Sequence, residues 1–185
     1  VPAVSLAASL ELLHTALLVH DDILDNDDLR RGKPTLHIQY QTFAQQKKFS
    51  EPATFGTNTA LCIGDALFFM GMKLLCSAGV PSSVQQLVLE KHREVCLAQM
   101  HELLLCQQKT VSEQEILALY KAKTADYTFV VPLLVGAQLS LASKKKQQAL
   151  RRYGELLGIL FQLKDDELDL FGSVAETGKP LGSDL

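Results

Sequence analysis

The chain has 185 residues, 47% of them hydrophobic and 21% charged, a balance that suits one ordinary globular domain and excludes a disordered or fibrous chain. Lys and Arg total 18 against 21 Asp and Glu, and the formal charge of −3 excludes the broad basic surface that nucleic acid requires. The acids are bunched in two places, and the chemistry is sought there.

Apolar residues recur at helical spacing along nearly the whole chain, and no alternating strand-like run stands out. A first helix is predicted from about Pro2 to Arg30, stopped by Gly32 and Pro34. The apolar stretch Val1 to Val19 contains Ser5, Ser9, Glu11 and His14, so it reads as a buried helix and a poor membrane span. No secretory or transit signal is visible. Residues 33–55 read as a loop or short helix punctuated by Pro34, Pro52 and Gly56. A second helix runs from about Thr57 to Cys76, stopped by Gly79 and Pro81, and its Phe68, Phe69, Met70 and Met72 read as core. A third runs from Ser82 to about Gln108. The four cysteines, Cys62, Cys76, Cys96 and Cys106, form no C-x-x-C and read as reduced thiols packed in a core, as in a cytosolic protein. His92, Cys96 and His101 lie close together without the spacing of a zinc site. Ser112-Glu113-Gln114-Glu115 is a capping box that opens a fourth helix, which runs to about Ala142 with Pro132 as a kink. Lys144-Lys145-Lys146 reads as a solvated turn, and a fifth helix spans about Gln147 to Phe171 and ends at Gly172. The expected fold class is all-α.

The first acidic cluster is Asp21-Asp22-Ile23-Leu24-Asp25, followed by Asp27, Asp28, Arg30, Arg31 and Gly32. On a helix Asp21 and Asp25 stand about 40° apart, one turn from each other, and His14 shares their face. Two such carboxylates repel unless a cation lies between them. Hard oxygen ligands suit Mg²⁺, which keeps its waters and shares its shell with phosphate oxygens. Arginine forks beside the acids suit phosphate. The second cluster is Gln162-Leu163-Lys164-Asp165-Asp166-Glu167-Leu168-Asp169, which repeats the four-residue spacing with Asp165 and Asp169. A glycine-punctuated loop carrying Lys179 follows it. A single Asp-Asp-x-x-Asp is weak, since most acidic helix faces are simply solvated. Two copies about 140 residues apart, each near the end of an apolar helix, are a far stronger signal. A calcium loop starting at Asp25 fails, because its fifth position is Leu29 and its sixth is Arg30 where glycine is needed.

The whole set, Asp21-Asp22-Ile23-Leu24-Asp25 with Asp28-Leu29-Arg30-Arg31-Gly32-Lys33-Pro34-Thr35, then Lys123-Thr124, then Phe161 to Asp169, then Gly178-Lys179-Pro180-Leu181-Gly182-Ser183-Asp184, resembles the trans-isoprenyl diphosphate synthases, or polyprenyl synthetases, in order and spacing. The resemblance implies an all-α helical bundle around a deep central cavity, with the two Asp-rich helix ends at its mouth. It implies about three Mg²⁺ ions bound through Asp21, Asp25 and Asp165, with Asp22, Asp166 and Asp169 as ligands or supporting acceptors. It implies Arg30, Lys123 and Lys179 on the allylic diphosphate, and Arg31 and His14 on isopentenyl diphosphate. Thr124 and Gln162 are implied to face the developing allylic cation, and with Lys123 they form the implied catalytic set. Taken singly, His14 reads as a core histidine and Lys123 as a surface lysine.

The implied reaction joins isopentenyl diphosphate to an allylic diphosphate. Departing diphosphate takes the proton, so no Ser-His-Asp or Cys-His constellation is needed. The resemblance also implies a homodimer. In such enzymes a small residue five positions before the first aspartate leaves room for a long tail. Here it is Ala16, about 7.5 Å deeper than Asp21 along the helix, so a product of 20 carbons or more is expected. Leu13, Leu17 and Phe68 are the other candidates for the floor of the tunnel. The upstream Gly-Lys-Arg element and the later helices of such enzymes are not in this sequence. Residues 1–185 are therefore expected to be the central portion of a larger single domain, incomplete at both ends. A non-catalytic subunit of a heteromeric synthase and a class I terpene cyclase are the competing readings. Intact aspartates oppose the first, and Arg-Arg-Gly opposes the second.

Overall fold

Helical periodicity is realised almost throughout. The computed structural model describes residues 2–172, which form α1 (Pro2–Leu24), a hairpin of β1 (Leu29–Arg30) and β2 (Lys33–Pro34), α2 (Leu36–Gln46), α3 (Pro52–Ser77), α4 (Ser82–Leu105), α5 (Glu113–Tyr120), a π-helical segment (Lys121–Val130), α6 (Val131–Leu139) and α7 (Lys144–Phe171). The described residues are all-α apart from that hairpin.

Several local outcomes differ from the sequence expectation, among them the start of α3 at Pro52 rather than about Thr57. The first helix ends at Leu24, not Arg30, because Asn26 turns left-handed at φ 56°. The Asp27 amide then reaches the Asp22 carbonyl at 2.9 Å and the Asn26 amide reaches Ile23 at 3.4 Å, a Schellman ending. The hairpin that follows turns at Arg31 and Gly32, with φ of 53° and 71°, and pairs Arg30 with Lys33. Two consecutive positive φ values make the primed turn that suits a two-residue hairpin. Lys144 to Lys146 are not a turn but the start of α7, where the Lys146 amide donates to the Ser143 hydroxyl at 3.4 Å. The fourth helix begins at the expected cap, with Ser112 accepting from the Glu115 amide and Glu115 accepting from the Ser112 amide at 2.9 Å. Its irregularity is the π segment, which Pro132 of α6 follows.

The described residues divide into two compact units. The first holds residues 2–10 and 74–164. Its core includes Val84, Val88 and Val95 on one stripe of α4 together with Val130, Val131 and Leu134, all buried, each contributing about 1.5–3 kcal/mol by leaving water. The second holds residues 11–73 and 165–172, with Leu13, Ala16, Ala44 and Ala60 buried. There α1 and α3 approach closely at Gly64 and Gly71, where an added side-chain carbon would lie 2.3 Å from the His20 ring and 2.8 Å from Leu13.

Two further expectations are corrected by exposure. Phe69 and Met70 are 69% and 55% exposed rather than core. All four cysteines are free, as expected, but exposed instead of packed. By length and composition α1 and α3 are long and apolar enough to cross a membrane, while the last turn of α1 carries Asp21 and Asp22.

Candidate functional site

At the first acidic motif the backbone does the positioning. Asp25 lies just past α1, yet its amide still bonds the Asp21 carbonyl at 2.9 Å, so the one-turn relation of the two carboxylates survives the helix end. The hairpin then carries Arg30 back onto them. Arg30 Nε donates to Asp22 Oδ1, and its terminal nitrogen stands 3.5 Å from Asp21 Oδ2. Thr35 closes the hairpin from within: it is buried, its hydroxyl donates to the Asp27 carbonyl at 2.7 Å and its amide to the Asp28 carbonyl at 3.0 Å.

Electrostatics follow from that wiring. Burial pushes the Asp22 carboxyl above the usual carboxylate range, against the hydrogen bond and charge of Arg30. Burial works against the Arg30 charge, but the bond to Asp22 and the nearby aspartates outweigh it and hold the guanidinium above its ordinary value. Burial lowers the His14 imidazole; Glu11 and Asp21 oppose this while Arg31 and Arg30 add to it. His14, Asp21, Arg30 and Arg31 thus share one electrostatic neighbourhood. Arg31 itself is exposed at the hairpin turn.

The second acidic motif stands on an unbroken helix. α7 continues through Asp165, Asp166 and Asp169 to Phe171. Asp165 is exposed, Asp166 half-buried and Asp169 buried. Both acidic motifs belong to the second compact unit. Lys179 and the loop around it lie outside the described residues.

Lys123 and Thr124 fall in the π segment. The buried Thr124 hydroxyl donates to Gln162 Oε1 at 2.6 Å, so two residues implied to serve one cation are brought together from 38 positions apart. Lys123 Nζ pairs with Glu102 on α4. Nothing in the sequence singles out Glu102, because its partner lies 21 residues away on another element. His92 is buried with Nδ1 2.8 Å from the Val88 carbonyl, while Cys96 and His101 are exposed, so these three build no zinc site. Two cavities, of about 680 and 370 Å³, lie around Leu141 and around Phe49, and no candidate residue lines either.

Magnesium fits the donor set at the acidic motifs. Asp21 and Asp25 are half-exposed and stacked by the helix end, and every donor is a hard oxygen. Among the described residues no three His, Cys, Asp or Glu side chains converge into a closed metal cage.

The family described as polyprenyl synthetase matches residues 2–185. A geranylgeranyl diphosphate synthase of Methanosarcina mazei is 34% identical over 97% of this chain and 52% of its own length. A farnesyl diphosphate synthase of Haemophilus influenzae is 33% identical over 97% of this chain and 59% of its own. The geranylgeranyl pyrophosphate synthase of Corynebacterium glutamicum, solved in complex with isoprenyl diphosphate and magnesium, superposes with a TM-score of 0.87 at 34% identity, over 96% of this chain and 51% of that one. The chain therefore spans about half the length of the relatives it matches.

Proposed function

The chain belongs to the polyprenyl synthetase family, and from that premise we propose that its protein condenses isopentenyl diphosphate with an allylic diphosphate to give a longer linear trans-prenyl diphosphate. The observation that carries this reading is the grouping, in one compact unit, of two aspartate pairs at four-residue spacing with an arginine already ion-paired to the first.

In this reading the allylic C–O bond breaks and its electron pair leaves with diphosphate. The double bond of isopentenyl diphosphate supplies the electrons of the new C–C bond, and a proton is lost to the departing diphosphate. Magnesium, when bound, supplies charge neutralisation on the leaving group. Asp21, Asp25 and Asp165 would hold the magnesium ions, with Asp22, Asp166 and Asp169 as ligands or supports. Arg30, Lys123 and Lys179 hold the allylic diphosphate, and Arg31 and His14 hold isopentenyl diphosphate. The Thr124 and Gln162 oxygens stabilise the positive half of the ionised bond, a preorganised electrostatic effect. Arg30 and Lys123 begin on carboxylates, so diphosphate has to compete for both cations.

The relatives' names differ in product, and Ala16 is what favours 20 carbons or more here. It is fully buried, in a second unit where Leu13 is spent on Gly71. A cytoplasmic location fits the four free thiols. A homodimer fits the exposed Phe69 and Met70 of α3 and the exposed Met100 and Leu104 of α4. Residues 1–185 are then the central part of one larger domain.

The test incubates the intact protein with labelled isopentenyl diphosphate, an allylic diphosphate and Mg²⁺. A longer linear diphosphate supports the proposal. A cyclic hydrocarbon replaces it with a cyclase, and absence of turnover with retained binding of a partner synthase replaces it with the subunit reading. Ala16→Phe shortens the product if Ala16 is the floor, and Ala16→Val does so partly with less strain on the core. A folded Ala16→Phe protein with unchanged product length overturns the chain-length assignment.

A further inference from the structure

Thr124 meets Gln162 where the helix between α5 and α6 is wound wide. On α7, Gly154 and Gly158 lie one α-turn apart. A side-chain carbon at Gly158 would lie 2.3 Å from Ala125 Cα, and one at Gly154 would lie 3.0 Å from Val130 Cγ2. Ala125 and Val130 are five residues apart. In an α-helix they would point about 140° away from each other, whereas π winding, with bonds from i to i+5, aligns them. Nearby, Thr124 meets Gln162, and Phe129 meets Phe161 with ring centroids 5.4 Å apart.

Extended π winding is rare, so it needs an external hold. One is on α4. Lys91 Nζ bonds Asp126 Oδ2 at 2.8 Å and Glu94 Oε2 at 2.6 Å. Asp126 is 5% exposed, and its Oδ1 is buried without a hydrogen-bond partner. A buried carboxylate paired with a part-buried lysine and left with an unsatisfied oxygen is a poor source of net stability, and the best-attested use of such groups is to select one register. A return to α winding would rotate Asp126 relative to Lys91 and Val130 relative to Gly154, so the two contacts stand or fall with the π register.

We propose that Lys91 and Asp126 are positioning residues: their part-buried pair, steadied by Glu94, locks the Lys121–Val130 segment in its π register and so sets Thr124 against Gln162 and places Lys123. The proposal rests on the prenyl-transfer reading for its consequence, though not for its geometry.

The experiment compares the intact protein with Lys91→Met/Asp126→Leu, which removes both charges at similar volume, and with Lys91→Arg. Melting temperature, amide hydrogen exchange of the peptide covering 121–130, and kcat and KM for both diphosphates are measured. The double variant is expected to melt close to the parent and to exchange about tenfold faster over 121–130 but not over α2. Its kcat is expected to fall about 10- to 100-fold, with KM for isopentenyl diphosphate changed less than about twofold. Lys91→Arg, which keeps the charge, is expected to retain the parental protection. If the double variant does not fold, Asp126→Asn, which keeps the volume, must show the same changes in weaker form. Parental exchange over 121–130, or fast exchange with unchanged kcat, overturns the proposal. If the unmodified protein turns over no allylic diphosphate, the enzymatic reading falls separately, and exchange alone then decides the claim about register.

Discussion

The two acidic motifs have the same spacing and different surroundings. At the first, α1 stops at Leu24, the chain doubles back through a hairpin, and Arg30 lands on Asp21 and Asp22. At the second, α7 runs straight through and the aspartates range from exposed Asp165 to buried Asp169. The first motif is thus gathered by a helix end and a returning hairpin, whereas the second is carried along one continuous helix. A shared Asp-Asp-x-x-Asp pattern therefore states which charges are present, and the helix end decides what else is held with them.

That contrast breaks or sharpens under three measurements. If both motifs grip the same cations, Asp21→Ala and Asp165→Ala each lower kcat by about 10²–10³-fold, since each removes a group that stabilises charge in the transition state. A loss with Asp21→Ala alone, in steady-state assays at saturating magnesium, would show that the second motif is merely a solvated face. Stability should respond at the first motif. Asp22→Ala removes the hydrogen-bond acceptor of Arg30, leaving it Asp21 at 3.5 Å, and costs about 1–3 kcal/mol by urea unfolding. The smallest effect concerns pH. Burial holds the His14 imidazole below its ordinary value of 6.5, so the unfolded chain binds the proton first. Stability is then fully present above pH 6.5 and declines as pH falls below it toward the lowered native value. Urea titrations of the parent against His14→Gln should show a flatter decline in the variant over that window.

Much of this was legible before any coordinates. The Asp21–Asp25 and Asp165–Asp169 spacings, the Ser112–Glu115 cap and the long apolar helices depend on neighbours within a turn or two, which is what a sequence displays. The ending at Leu24 had a signal, Asn26, that was masked by the acids around it. The hairpin was hidden because two residues per strand are too few to alternate. Lys144 to Lys146 looked like a turn because their charges outweighed the Ser143 cap. The π segment escaped because a five-residue step is not a period the apolar pattern reports. The Lys123–Glu102 and Lys91–Asp126 pairs join residues 21 and 35 apart, and no local rule reaches that far. The exposure of Phe69 and Met70 was equally unreadable, since apolar character alone does not say what packs against it.

The hairpin tip has one more consequence. Gly32 sits at φ 71° with no atom within 4 Å of where a side-chain carbon would go, so crowding plays no part in the choice of glycine. The constraint is one of handedness. L-alanine there would cost about 1–2 kcal/mol, whereas a mirror-image D-alanine introduced by semisynthesis should be accommodated and should stiffen the arm that delivers Arg30.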